Sequence, residues 1–357
     1  MDHDGRFYDA QGKPFELTWP NDGYRLEPVT VVPGLFKVPA PATRVVSRQE
    51  IPPVLVVVAE RGGGISHFVR WLTQPKRAAR AVSSRQARAK KLNDGDPGWR
   101  ILEPQQARQA LLDWRQAKKP IRLVMDCTIP WEVPHADEKL YLAELASIVE
   151  EEGWSQESKL VCVTRDVRAL RSRYPYSALI DRGPTCRLPH FSTHELERWL
   201  AALLENLENE GRSTLHSLVP IRDDEASDVL PRSLQRLVGG QPSLTHFLFR
   251  LLEEGARQGL AGSWNDLIEH SGRSFQYMRP HIVDRWQDDL RPLLEDVGLR
   301  RRLEAYTRDF TRGERDGDYD QHDVDLFLAG WVGLNPDREW GIRSTCHQAW
   351  AREILRG

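Results

Sequence analysis

Apolar and polar positions fall into two patterns along this chain, and the order of these patterns predicts the fold. Three short apolar runs lack alternation, as strands buried on both faces of a parallel sheet do. They are Val54–Val58, Ile121–Asp126 and Lys159–Val163. Helical spacing occurs between them, over Pro104–Ala117 and Leu140–Val149. Strands that alternate with helices predict a parallel α/β sheet.

The second half of the chain has mainly helical periodicity. Ser192–Glu195 is a capping box that opens a helix, and Leu244–Leu252 has the spacing of another amphipathic helix. Near the C-terminus an apolar stripe within Val324–Trp331 precedes a polar turn, the short segment Trp340–Arg343 and a closing helix over Cys346–Leu355. Helix, turn, short β-wing and helix form the outline of a winged helix.

Shifts in composition divide the chain into four parts. We expect a proline-rich N-terminal arm over residues 1–50, an α/β domain over 51–210, a helical domain over 211–275 and a winged-helix-like domain over 276–357. The composition of the arm favours a partly extended segment lying over the core, and the alternative is a docking segment for a partner. Because all three core strands follow the arm, removal of residues 1–45 is expected to leave the fold intact.

The first apolar run leads into a glycine-rich segment, Ala59–Ser66. A strand, a glycine loop and a helix in this order form the context of the phosphate-binding P-loop, G-x-x-x-x-G-K-[ST]. On that template the first glycine is Ala59 and the lysine position holds Ile65. Isoleucine supplies neither the charge nor the donors with which lysine neutralises the β- and γ-phosphates. The positions that can still form an anion-binding nest at a helix N-terminus are Gly62, Gly63, Gly64 and Ser66.

The second apolar run ends in Asp126, where P-loop ATPases place the Walker B aspartate that holds magnesium. An acid that activates the attacking water is expected beside it, but Cys127 and Thr128 follow instead. Glu132 is close in sequence, but Pro130 intervenes, and we do not assign it as a general base. No residue is therefore assigned a catalytic role.

Composition and charge exclude several classes of protein. The net charge of −2 gives no general basic bias toward nucleic acid. The four cysteines have neither a C-x-x-C pair nor metal-ligand spacing, so reduced core thiols in a cytosolic protein and no metal site are expected. The N-terminal residues lack the pattern of a secretory signal, and no apolar run approaches the roughly 20 residues that span a bilayer. A cytoplasmic protein without a membrane segment is therefore predicted.

A basic tract, Lys76–Lys91, contains lysine and arginine but no acid. Such runs are usually solvated faces or flexible loops. No aromatic side chains are interleaved for base stacking, so nucleic-acid binding is not the expected role. The tract is instead a candidate contact for an acidic partner surface.

Three local motifs resemble those of STAND-type NTPases, the NB-ARC and NACHT relatives of AAA+ ATPases. Val163–Asp166 resembles the T-[TS]-R motif that closes their fourth core strand, and Gly240-Gln241-Pro242 resembles their G-x-P motif. The C-terminal stretch from Phe327 is similar to the winged helix that ends many such modules. The resemblance implies an α/β, P-loop NTPase-like parallel sheet followed by a helical domain and a winged-helix domain. It also implies that Arg165 senses the γ-phosphate and that Pro242 borders the base.

The departures at Ala59, Ile65 and Cys127 affect both the phosphate charge and the water-activating acid. The whole resembles inactive STAND modules of prokaryotic conflict systems, which implies a pseudo-ATPase acting as scaffold, adaptor or regulatory subunit of a bacterial defence complex. No cofactor is then required, and any ATP, ADP or anion binding is vestigial. The expected partners are proteins encoded nearby, such as an effector protease, a nuclease or a second ATPase, or further copies of this chain. Two alternatives remain: a nucleotide switch in which Arg61 or a basic-tract residue replaces the lysine, and a winged-helix DNA binder.

Overall fold

The computed structural model describes most of the regions on which these expectations depend. The residues described are 7–8, 14–15, 24–29, 44–73, 98–117, 119–127, 143–151, 154, 157–165, 182–197, 224–248, 290, 294–308, 311–312, 321–334 and 340–356. The basic tract Lys76–Lys91 lies outside them, and its predicted role stays a prediction.

A seven-stranded sheet forms the centre of the N-terminal half, in the order β4-β3-β9-β5-β8-β7-β6. Its strands are β3 (Tyr24–Val29), β4 (Arg44–Val46), β5 (Val54–Val58), β6 (Trp99–Leu102), β7 (Arg122–Cys127), β8 (Lys159–Thr164) and β9 (Thr185–Arg187). A separate two-stranded hairpin pairs β1 (Phe7–Tyr8) with β2 (Pro14–Phe15).

Five of the seven strands, β5 to β9, are parallel to one another. Numbered 1 to 5 in chain order, they lie in the sheet order 5-1-4-3-2, with the glycine loop directly after strand 1. The connection from strand 1 leads toward one edge of the sheet and that from strand 4 toward the other. Ligands of open α/β sheets bind at such a switch point, beyond the carboxyl ends of the two strands. This arrangement fits a P-loop NTPase-like core.

The three predicted core strands are confirmed as neighbours in parallel register. Val56 on β5 lies opposite Cys162 on β8, and Met125 on β7 lies opposite the same residue from the other side. Every residue of β5 and β8 is buried, which explains why neither sequence alternates. The helix predicted over Pro104–Ala117 has those bounds in the structure.

Helices cover both faces of the sheet. Helix α1 (Ile65–Thr73) buries Phe68 and Leu72 on the face that carries Leu55 and Val57. Helix α2 (Pro104–Ala117) and a helical segment over 143–149 pack on the opposite face, which carries Val56 and Val58. The alternating directions of side chains along β5 thus supply two separate apolar layers.

Residues 24–29 and 44–46 of the N-terminal arm are part of the sheet, and this corrects one expectation. Strand β3 pairs antiparallel with both β4 and β9, and the side chains of Tyr24 and Leu26 are buried in the core. Removal of residues 1–45 would therefore take out an internal strand, which contradicts the premise that all core strands follow the arm, and we expect this removal to destabilise the fold. Proline-rich composition concealed the strand because Pro28 ends its apolar alternation in the sequence.

The C-terminal part combines helices with a small antiparallel sheet. The helices are α3 (Asp224–Val238), α4 (Val297–Arg308), α5 (Gln321–Leu328) and α6 (Thr345–Ile354). The strands β10 (Thr311–Arg312), β11 (Val332–Leu334) and β12 (Trp340–Ile342) lie in the order β10-β12-β11. Their apolar side chains are continuous with the layer on the α2 face of the large sheet. The predicted domain boundaries stay predictions.

Candidate functional site

The glycine loop turns sharply between β5 and α1. Gly62 and Gly64 have φ of 77° and 98°, backbone conformations that residues other than glycine adopt only at a cost in free energy. The amide of Gly63 donates to the carbonyl of Glu60 (2.9 Å), and the amide of Phe68 donates to the carbonyl of Gly64 (3.0 Å). Glycine is required here by the backbone itself, so its presence alone does not demonstrate phosphate binding.

Ile65, at the lysine position, is a core residue. Its side chain is only 6% exposed and belongs to the apolar layer that contains Leu55, Phe68 and Leu72. A lysine in this place would have to reach out of a hydrocarbon environment to meet a phosphate. The loop therefore lacks, at this position, the positive charge that P-loop ATPases place beside the β- and γ-phosphates.

The outer side of the loop is docked onto the chain segment 241–243. The amide and the hydroxyl of Ser243 both donate to the carbonyl of Gly62, at 3.2 Å and 3.0 Å. The side-chain amide of Gln241 donates to the carbonyl of Arg61 (2.9 Å), and its oxygen accepts from the amide of Leu244 (2.7 Å). A Cβ added to Gly62 would lie 2.8 Å from Cβ of Ser243, so the two backbones are in close contact.

Pro242 and Tyr24 both lie close to Gly64. A Cβ added there would be 4.0 Å from Cγ of Pro242 and 3.7 Å from the hydroxyl of Tyr24. The Tyr24 ring packs against Phe68 (5.0 Å between centroids) and Trp71 (5.3 Å). Burial, and secondarily the charge of Glu195, raise the pKa of Tyr24. Pro242 thus borders the loop, and its contact with a base, which the G-x-P resemblance implies, stays a prediction.

Asp126 and Arg165 lie at the same edge of the sheet as the glycine loop. Asp126 is opposite Val163 near the carboxyl end of β7, and Arg165 directly follows β8. The amide of Ala59, at the start of the loop, donates to the carbonyl of Thr164 (3.2 Å). The structure therefore brings the sequence-predicted positions together at the switch point, and their roles toward a ligand stay predictions.

A buried ionic cluster beside the loop was not predicted. It centres on Glu60, whose carboxylate oxygens lie 2.5 Å from Nε2 of His190 and 3.2 Å from a terminal nitrogen of Arg187. Arg187 also reaches Glu27 on β3 (3.4 Å) and Nε2 of His190 (2.8 Å). The side chain of Arg187 is completely buried. One signal could have found it: Arg187 lies in the short buried strand β9, and an arginine buried in a strand requires a charged partner.

The C-terminal part completes the ionic cluster. Nδ1 of His190 lies 3.0 Å from the carbonyl of Gly239, which follows α3, and 3.4 Å from NH1 of Arg343, which follows β12. The guanidinium groups of Arg187 and Arg343 both lie over the ring of Phe327, at 5.0 Å and 5.3 Å from its centroid. The cluster therefore joins the glycine loop, β9 and the C-terminal part in one buried network.

Burial and charge act in opposite directions on the acids and bases of this cluster. Burial alone would raise the pKa of Glu60, but His190 and Arg187 hold that pKa well below its usual range. Burial and the charge of Arg343 lower the pKa of His190 to about 4, although the Glu60 carboxylate acts in the other direction. Glu60 is therefore ionised at neutral pH and is held by neighbours within the chain.

Within the described part of the chain there is no group of three or more His, Cys, Asp or Glu residues that could hold a metal ion. The thiols of Cys127 and Cys162 lie 3.7 Å apart on neighbouring strands, and both are buried. Among the same residues no helix is long and apolar enough to cross a membrane.

Comparison with known structures finds distant likeness to proteins of two archaea. The ORC2 protein of Aeropyrum pernix in its ADPNP–ADP complexes is 15% identical, with a TM-score of 0.36 over 85% of this chain and 87% of that one. Its ADP form is also 15% identical, with a TM-score of 0.35 over 86% and 89% of the two chains. Cdc6p of Pyrobaculum aerophilum is 10% identical, with a TM-score of 0.33 over 85% and 87%. No protein-family model and no curated protein match the sequence. At TM-scores this low the likeness supports no statement about ligands, and the description of the fold rests on the strand order of the chain itself.

Proposed function

We propose that this chain is a P-loop-like module that does not hydrolyse ATP and that serves as a scaffold, adaptor or regulatory subunit. The observation that carries this proposal is the burial of Ile65 in the apolar core at the position of the catalytic lysine. Phosphoryl transfer depends almost wholly on positioning and on neutralising phosphate charge. A loop that holds a buried isoleucine at the lysine position cannot neutralise phosphate charge there.

The remaining groups of the site support the same conclusion. Glu60, the acid of the loop itself, is buried and is engaged with Arg187 and His190. Asp126 is followed by Cys127, which is buried, so no acid stands beside it to activate water. The outer carbonyls of the loop are held by Gln241 and Ser243. The glycine loop therefore acts as a structural joint between the sheet and the segment that follows α3.

The test is ATP turnover by the purified full chain with and without magnesium. We expect no release of phosphate above buffer, and the same result for Asp126→Ala. Ile65→Lys is expected to lower stability without creating activity, because it buries an ammonium group among apolar side chains; Ile65→Met is the matched control and is expected to remain folded. Turnover by the natural chain that Asp126→Ala abolishes would overturn the proposal.

The order of elements in the C-terminal part favours a winged-helix-like unit as an assembly surface. Helix α4, strand β10, helix α5, the β11–β12 hairpin and helix α6 follow one another around a three-stranded antiparallel sheet. Together with the STAND resemblance, this supports a role as a subunit in a bacterial defence complex. Capture of the tagged chain from its native host, followed by sizing of the complex, tests this role. A monomer that captures no protein but retains DNA in a sequence-specific manner would contradict it.

A further inference from the structure

Arg343 is a buried cation without a carboxylate partner. The residue is 7% exposed, and among the residues that the structure describes no Asp or Glu lies within 4.0 Å of its guanidinium nitrogens. Its NH1 is 3.4 Å from His190, whereas its Nε and NH2 are buried and have no hydrogen-bond acceptor in the described chain. Most buried polar groups of folded proteins have a partner, so this one requires an explanation.

The guanidinium of Arg343 is held in place by apolar contacts on its faces. It lies over the ring of Phe327, and a Cβ added to Gly333 would be 2.6 Å from its central carbon. Glycine at position 333 therefore leaves room for the arginine to lie flat against the backbone. A side chain fixed in this way loses little further entropy when it binds a ligand in its plane.

A second arginine lies in the same cluster. Arg187 also has a buried Nε without an acceptor in the described chain, and the Glu60 carboxylate is bound to one of its terminal nitrogens. Burial lowers the pKa of Arg343 to about 9, and repulsion from Arg187 acts in the same direction. The carboxylates of Glu27 and Glu60 act in the opposite direction. Arg343 makes no direct ion pair with a carboxylate in the described chain, and a further anion would offset the cost of burying its charge.

We propose that Arg187 and Arg343 form a binding site for a small oxyanion, either free phosphate or a phosphoryl group of a larger ligand, and that the carboxylate of Glu60 competes with this anion for Arg187. Guanidinium groups bind such anions through paired N–H donors, and the unpartnered Nε and NH2 of Arg343 are a pair of this kind. The site is distinct from the amides of the glycine loop and does not depend on whether ATP is hydrolysed.

Exchange of the carboxylate for an oxyanion would also release the glycine loop. Glu60 is bonded to Arg187 and His190, and a Cβ added to Gly330 would lie 2.8 Å from its carboxyl carbon. The carboxylate therefore fills the space between the loop and the end of α5. Its displacement would loosen the contact between the sheet and the C-terminal part, so oxyanion binding would change the surface offered to a partner.

The experiment measures the melting temperature of the full chain at pH 7.5 in sodium phosphate and in sodium chloride of equal ionic strength, with ADP as a separate arm. At a phosphate concentration about ten times Kd, the folded-to-unfolded ratio rises about elevenfold, which corresponds to about 1.4 kcal/mol. For a chain of this size the melting temperature then rises by about 2 °C. Arg343→Met should abolish this rise. Arg308→Met is the matched control because the side chain of Arg308 is 80% exposed on α4, and it should keep the full response.

Glu60→Gln separates a binding site from a merely structural cluster. Without the competing carboxylate, phosphate should stabilise this variant at lower concentrations than it stabilises the natural chain. If Arg343→Met removes the rise in melting temperature caused by ADP as well as that caused by phosphate, the ligand is a phosphoryl group of a larger molecule. If the rise caused by ADP persists in this variant, ADP binds elsewhere and the ligand of this site is free oxyanion. The proposal is overturned if chloride and phosphate act alike on the natural chain, if Arg343→Met keeps the phosphate response, or if Glu60→Gln weakens that response.

Discussion

The close contact between Gly62 and Ser243 allows a quantitative test of the glycine loop as a structural joint. Gly62→Ala places a methyl group at φ 77° and against the side chain of Ser243. The left-handed conformation costs about 1–2 kcal/mol for alanine. Overpacking against a neighbouring element adds about 1–3 kcal/mol. We therefore expect the free energy of unfolding to fall by about 2–5 kcal/mol.

Variants of two other glycines separate the conformational cost from the overpacking cost. Gly64 has φ 98°, but a Cβ there would approach nothing nearer than 3.7 Å, so Gly64→Ala should carry the conformational cost alone. A Cβ at Gly98 would meet nothing within 4 Å, and Gly98→Ala should be nearly neutral. Ser243→Gly combined with Gly62→Ala should recover part of the overpacking cost, although Gln241 Nε2 would still lie 2.7 Å from the new methyl group.

The assay is urea unfolding followed by tryptophan fluorescence, with stability compared at constant m-value. A double-mutant cycle between positions 62 and 243 isolates their interaction from the conformational cost. If Ser243→Gly brings no recovery in the Gly62→Ala background, the loop is not held by this contact, and the account of it as a joint fails.

Three further outcomes are expected. Deletion of residues 1–45 should lower the free energy of unfolding by at least about 3 kcal/mol, because it removes two buried side chains of β3 that each contribute about 1.5–3 kcal/mol. An unchanged melting temperature would contradict the placement of β3 in the sheet. Burial lowers the pKa of His67 to about 4 and that of His246 to about 3. Both values lie below the unfolded pKa of about 6.5, so the stability that the neutral histidines contribute is present above pH 6.5 and is lost as the pH falls toward 4. The free energy of unfolding in urea should therefore be lower at pH 5.5 than at pH 7.5 by about 1.3 kcal/mol per histidine. His67→Gln should reduce this difference. Tyr306→Phe should cost about 1–3 kcal/mol in the same assay, because it leaves the indole N–H of Trp340 without the hydroxyl that it reaches at 2.8 Å; a neutral effect would show that water replaces the hydroxyl.

The central strands were predictable because burial on both faces leaves a direct mark on the sequence. Val54–Val58 is continuous and β-branched, and the structure gives β5 those bounds. The capping box at Ser192 was also predictable from local sequence: the amide of Ser192 donates to the carboxylate of Glu195 (2.8 Å), and its hydroxyl accepts from the amide of Glu195 (3.3 Å). Both features depend on residues that are close along the chain.

Features that depend on partners distant in sequence were not predictable. Strand β6 was missed because it has a neighbour on only one side, and Arg100 and Ile101 at its centre are exposed, so it has no continuous apolar run. The ionic cluster was missed because Glu60 and Arg343 are ordinary charged residues until the fold brings them together. The glycine motif was recognised, but its contact with Ser243 spans 181 positions and has no local signal.

Because β3 pairs with β9, the large sheet can be completed during synthesis only after β9 has left the ribosome. Glu27 on β3 lies opposite Arg187 on β9, and the two are 160 positions apart. At about 5–20 residues per second, β3 leaves the ribosome roughly 8–30 seconds before β9 does. During that interval β3 can pair with β4, but its other edge is open. An open strand edge is a template for pairing with other chains. The open edge of β3 in a nascent chain is therefore exposed to aggregation until residue 187 has left the ribosome, and chaperone binding is expected to be strongest on ribosome-bound chains within that interval.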